Sequence, residues 1–311
     1  MQNNTQLRRL LMNAGMAFGL IILSACSNVA SKDERRHSVS SMDRETANLV
    51  DVTTDALQLA DRVGSQNVLV VFDIDNTLLA MEQGLGSDQW YEWQKELSNN
   101  DHCSPDNVGN RFAAQGAIYF ASAMRPTQPD AAEQVKTIQE QGVPVIALTS
   151  RGQDYRLQTF RELRRNGFDF SFSGIGPAGG YDDSFVPVEE GRSSRYEDGV
   201  FLTAGQHKGA MLYALLQKTG TPMPAVVVMA DDKQNNLDAL KETFSALSIP
   251  VHAWRVTSED QNVSGFDAHQ AAQQWHEIEA SLREVQRVLG PDNYDLSSVK
   301  LPEDCQHDVT H

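Results

Sequence analysis

Positive charge is scarce in this chain: 26 Lys and Arg stand against 42 Asp and Glu, a formal net charge of −16. Such a surface repels phosphate backbones and anionic lipid headgroups, so the expectation is no nucleic-acid partner; a polyanion would need a metal or a local basic site. Cysteine is nearly absent, three in 311 residues, which excludes a scaffold held by many disulfides. No internal repeat is present, and no apolar run beyond the first 25 residues could span a membrane. What is there is a 40% hydrophobic chain, enough for one large domain or two small ones with a sizeable core.

The N-terminus differs in kind from the rest. Arg8 and Arg9 precede an apolar run from Leu10 to Leu23, followed by Leu23-Ser24-Ala25-Cys26. This order of charged, apolar and small residues reads as a signal segment over residues 1–25. It resembles the lipobox of bacterial lipoproteins, which implies cleavage before Cys26, lipidation of that cysteine, and a membrane partnership through the lipid. Ser27 after the cysteine implies, by the same resemblance, the periplasmic face of the outer membrane. A plain signal peptide or a short membrane anchor are the alternatives. Residues 26–44 are polar and read as a flexible tether. Cys103 and Cys305 remain, either as a disulfide pinning the C-terminal tail, 291–311, or as two free thiols.

Beyond the tether, helical and extended patterns alternate over residues 45–290. Helices are expected from Glu45 to Asp61, Thr127 to Gly142, Gln153 to Asn166, His207 to Thr219, Asn236 to Leu247 and Ala268 to Val288. Strands are expected at Val68 to Phe72, Val143 to Leu148, Phe168 to Phe172, Ala225 to Met229 and Val251 to Val256. This alternation predicts an α/β fold, a doubly wound and mostly parallel sheet. Residues 81–125 interrupt it as a helical insert, Asp88 to Leu97 and Val108 to Met124, that would cap the strand ends; Gly174 to Gly199 reads as a loop or hairpin.

Chemistry collects where the strands end. Asp73, Asp75 and Thr77 follow the first strand; Thr149, Ser150 and Arg151 follow the second; Lys208 opens a helix; Asp231 and Asp232 follow a later strand. In a parallel sheet all would converge on one edge. Carboxylates crowded there would repel unless a cation sat among them, and hard oxygen donors select magnesium. Lys208 in a first helical turn is opposed by the helix dipole unless an anion completes the site. Together these describe a cradle for a phosphate.

The four motifs, VVFDIDNT, VIALTS, HKGAML and VVMADDKQNN, resemble in order and context those of the haloacid dehalogenase superfamily, which are mostly phosphohydrolases. The setting is similar to that of its secreted acid phosphatase lipoproteins, and the segment Leu85 to Trp90, LGSDQW, resembles a little-characterised bacterial branch. The resemblance implies Asp73 as nucleophile and Asp75 as acid and base. It implies Thr149 and Lys208 as contacts to the phosphate of a phosphorylated small molecule. Mg2+ would be held by Asp73, the Asp75 backbone carbonyl and Asp231, with Asp232 as the alternative ligand. Ala230 replaces the usual glycine of the fourth motif and Asn235 stands where a second acid often falls. The expectation is a magnesium-dependent phosphomonoesterase; a metal- or ligand-binding lipoprotein without turnover and a phosphotransferase are the alternatives. Arg151 reads equally as an ion-pair partner or a substrate contact, and His207 as a solvated helix end.

Overall fold

The structure, a computed structural model, describes residues 39–187 and 191–308. The signal segment, Cys26 and the tether as far as residue 38 lie outside the described residues. Among the described residues no helix is long and apolar enough to cross a membrane.

The chain opens with β1 (Met42–Thr46) and α1 (Leu49–Val63), then β2 (Val68–Phe72), the core strand that ends in the aspartates. A short hairpin-like pair, β3 (Leu79–Met81) and β4 (Met124–Pro126), brackets the helical insert of α2 (Asp88–Asn100) and α3 (Arg111–Ala121). Next come α4 (Ala131–Glu140), β5 (Val145–Thr149), α5 (Arg156–Arg165), β6 (Arg195–Glu197), β7 (Val200–Leu202) and α6 (Lys208–Thr219). The chain continues through β8 (Val226–Asp231), α7 (Gln234–Ala246), β9 (Val251–Val256), the short α8 (Asp260–Ser264) and the long α9 (Ala268–Leu289).

The main sheet has seven strands in the order β1-β9-β8-β2-β5-β7-β6, parallel except at β6. It is the expected α/β, doubly wound, mostly parallel fold. Strand β2 lies at its middle because the chain winds one way to β5 and β7 and then returns to β8 and β9 on the other side. That reversal opens a crevice at the carboxyl ends of the central strands.

The period of two along β2 sorts its residues onto two faces. Val68, Val70 and Phe72 meet α1, α4 and α5, while Leu69 and Val71 meet α6 and α7. Every residue of β2 is buried, as a continuous apolar run between two helical layers requires. A third cluster sits outside the sheet: Trp90 and Ile118 of the insert pack with Trp275 and Leu282 of α9 and with Tyr294, Leu296 and Val299.

Some expectations are corrected. The tether does not run through Arg44, since Met42–Thr46 is an edge strand whose residues are mostly exposed and therefore need no apolar alternation. The first helix begins at Leu49, where Asn48 caps it by accepting from the Val50 amide. Thr127 caps nothing; its hydroxyl donates to the Thr77 carbonyl, and α4 starts at Ala131. Phe168–Phe172 is not a strand: Phe168 and Phe170 are buried, but the chain turns back as the Ser173 and Gly174 amides bond the Phe170 carbonyl. Of the two alternatives for Cys103 and Cys305 the structure shows the disulfide, and Leu296 in the tail is fully buried.

Candidate active site

After Phe72 the chain makes one tight turn in which the amides of Thr77, Leu78 and Leu79 all point at the Ile74 carbonyl. Asn76 takes a left-handed conformation with φ 58°, a geometry that Asn tolerates better than most residues. This turn leaves Asp73 and Asp75 at the carboxyl edge of the sheet and sends the chain into β3 and the insert.

Lys208 is the first residue of α6, and its ammonium lies 2.5 Å from Asp73 Oδ1 and 2.6 Å from Asp231 Oδ2. The anions that reconcile this cation with the positive end of its helix are thus carboxylates of the protein itself. Gly209 allows the approach: a Cβ there would stand 2.2 Å from the Ala239 carbonyl of α7. Burial opposes the charge of Lys208, but Asp231 and Asp73 outweigh it and raise its pKa.

Asp231 carries four hydrogen bonds, from Lys208, the Lys233 amide and, through both its oxygens, Asn236. Asp232 receives none among the described residues, and its carboxylate lies within 4.8 Å of those of Asp73 and Asp231. Burial, opposed by Lys208 and reinforced by Asp231 and Asp75, pushes Asp73 up to about 7. Burial together with Asp73, Asp231 and Asp88 pushes Asp232 up to about 9.

Asp75 does not face this cluster unattended. Arg151 grips it with two hydrogen bonds, from Nε at 2.9 Å and Nη2 at 2.7 Å, while its Nη1 bonds Thr159. The guanidinium lies 4.6 Å from the centre of the Tyr119 ring of α3, so it is clamped between core and insert. Thr149 is fully buried at the end of β5, its hydroxyl accepting from the Arg151 amide.

A cavity of about 600 Å³ opens above these residues. Asp75, Arg151 and Lys208 form part of its floor, the insert supplies Asp88, Tyr91, Phe112 and Tyr119, and Arg192 and His207 lie on the opposite side. Asp73 and Asp231 sit beneath, nearly closed from solvent. His207 is the cap of α6, its Nδ1 accepting from the Ala210 amide.

Asp73, Asp75, Arg151, Lys208, Asp231 and Asp232 therefore meet at one place, with Ser150 on the cavity lining and the Thr149 hydroxyl bonded to the Arg151 amide; Thr77 is fully buried and does not line the cavity, and Cys26 lies outside the described residues. Arg151, open in the sequence between an ion pair and a substrate contact, is the ion-pair partner of Asp75; of Asn235 and Asn236, which the sequence offers as outer support to the acidic pair, Asn236 is the double donor to Asp231. Only the pairing of Lys233 with Asp88 at 2.8 Å has no sign in the sequence.

The donor set suits a hard divalent ion. Five carboxylates, those of Asp73, Asp75, Asp88, Asp231 and Asp232, face the three cations Arg151, Lys208 and Lys233, leaving two negative charges in excess. Two protons or one divalent cation would balance them, and the upward shifts at Asp73 and Asp232 are the proton form of that balance.

An α/β sheet whose central strand delivers a lysine-bridged aspartate cluster beneath a helical cap defines the class of this protein. Residues 45–287 match the family described as "Protein of unknown function (DUF2608)", and the chain belongs to that family. No curated protein matches it.

Proposed function

We propose that this protein is a magnesium-dependent phosphomonoesterase of the haloacid dehalogenase type, tethered by lipid at Cys26 on the periplasmic face of an outer membrane. The observation that carries the catalytic part is the Lys208 ammonium held between Asp73 and Asp231 in a nearly closed pocket. Lys208 holds the Asp73 carboxylate in place as the nucleophile that forms a bond to phosphorus while the ester oxygen leaves. Asp75 is positioned to hand a proton to that leaving oxygen and later to take one from the attacking water. Thr149 and Lys208 stabilise the charge on the phosphoryl oxygens. Asp73 and the Asp75 carbonyl, with Asp231 or its neighbour Asp232, would hold Mg2+, which when bound supplies charge neutralisation and alignment. The Cys103–Cys305 disulfide supports a setting outside the reducing cytoplasm.

The test is phosphate release from a panel of phosphomonoesters, with magnesium and with chelator, beside D73N. Magnesium-dependent release that vanishes in D73N is the expected result; undiminished release in D73N would overturn the nucleophile assignment.

One observation favours a second reading, a metal- or ligand-binding lipoprotein without turnover. Both oxygens of Asp75 accept from Arg151, so the acid is already engaged as one half of a structural ion pair. Magnesium binding without phosphate release on a broad panel would select this reading.

A further inference from the structure

The LGSDQW segment is the one motif that the proposed chemistry does not use, and the structure assigns a local duty to four of its residues. Leu85 and Trp90 are buried in the cluster that joins the insert to α9. Gly86 has φ 80° and lies so close to α3 that a Cβ would stand 2.3 Å from Ile118, which forbids a side chain there. Ser87 caps α2 by accepting from the Trp90 amide at 3.1 Å. None of these duties calls for Asp88, the acid among them, which lines the cavity.

Asp88 reaches across the cavity to the core, where Lys233 Nζ lies 2.8 Å away. Lys233 follows the acidic pair directly, and its own amide donates to Asp231 Oδ1 at 2.9 Å. Its side chain is steadied further by Glu92, one helical turn beyond Asp88, and Glu92 is in turn paired with Lys95. Positions 88, 92 and 95 share one face of α2, so the helix turns a charged stripe toward the core while Trp90 turns inward. A continuous path thus runs from the insert through Asp88, Lys233 and Asp231 to Lys208 and Asp73.

We propose that Asp88 is a positioning residue for the reaction at Asp73: by holding Lys233 it seats the cap on the core and fixes the loop that carries Asp231 and Asp232. The role rests on the phosphatase reading given above. It differs from a surface ion pair in one respect, because it makes the geometry of the metal-binding loop depend on a residue of the cap.

The test uses the full-length protein, D88N, K233M and the double variant. Three quantities are read: Mg2+ affinity by calorimetry, phosphate release with kcat separated from KM, and amide hydrogen exchange. Each single change is expected to weaken Mg2+ binding and kcat by about tenfold, the scale for supports of metal ligands, with KM moved far less. The double variant is expected to be no worse than K233M alone, since K233M already breaks the link that D88N breaks, along with the Glu92 contact. Exchange is expected to rise together in residues 85–100 and 231–236. If exchange rises only in α2 while Mg2+ affinity and kcat hold, Asp88 merely seats the cap and the proposal is overturned. Additive losses in the double variant would overturn it equally. A wild-type protein that neither binds Mg2+ nor releases phosphate removes the phosphatase reading itself, and the role of Asp88 with it.

Discussion

Arg151 and Asp75 form a two-pronged ion pair between residues that stand 76 positions apart, with the arginine side chain almost wholly buried and the carboxylate partly open to the cavity. Removing the arginine leaves an acid at the cavity floor without its counter-ion. R151M is expected to cost about 3 kcal/mol of stability, the scale for breaking a buried pair by deleting one partner. Urea unfolding of R151M, D75N and the double variant checks it. The double variant should be less destabilised than the two singles predict together, because no charge is then stranded.

The acid cluster makes a pH-dependent prediction with a definite sign. Asp73 and Asp232 are held at about 7 and about 9, against an ordinary 3.8 in the unfolded chain. Between those values the folded, metal-free protein keeps protons that the unfolded chain has released, so stability is lost as pH rises from about 4 towards 9. Under the proposed function magnesium would bind the deprotonated form and so reverse the trend. Scanning calorimetry in chelator should show the Tm falling over this window, with the gain from added Mg2+ larger at the alkaline end. A Tm gain independent of pH would contradict the assignment of these two carboxylates.

Gly209 is a packing hinge on which the placement of Lys208 depends. G209A puts a methyl group against the Ala239 carbonyl and Thr243, and should cost about 1 to 3 kcal/mol by overpacking while shifting Lys208 away from Asp73. Thermal unfolding reads the first effect. Under the proposed function phosphate release reads the second, and should fall further than stability alone explains.

The disulfide closes a loop between residues 202 positions apart. For a loop of that length the chain-entropy relation gives a stabilisation of about 5 kcal/mol, which strain and residual structure in the unfolded chain reduce. Reductant, or C103S with C305S, should lower the Tm by several degrees. Titration of native protein with a thiol reagent should find neither cysteine reactive; two reactive thiols would show the bond unmade.

Much of the fold was legible because apolar strands and their helices announce themselves. Val251–Val256 was read to the residue and α9 to within one position, both being long or continuously apolar. The edge strand Met42–Thr46 was missed for the opposite reason: exposed on most of its length, it has no need of hydrophobic residues. Phe168–Phe172 misled because two of its phenylalanines do enter the core, without a strand to carry them. At the site, Asp73, Asp75, Thr149 and Asp231 stood out because polar groups interrupt apolar runs where a sheet ends, and Lys208 because a cation sits in a first helical turn. Which acid Arg151 pairs with, and the bridge from Asp88 to Lys233, were hidden, since they join segments brought together only by the winding of the chain.

Cys103 lies on the loop between the two cap helices and is exposed, while Cys305 is supplied by a segment made 202 residues later. The bond can be closed only by a molecule in which everything between them, Thr149, Lys208 and Asp231 included, has been synthesised. It therefore serves as a completeness mark. A copy cut short before Cys305 would carry Cys103 as an exposed thiol, open to mixed disulfides or to pairing with another such copy, and would be chemically distinguishable from the finished protein.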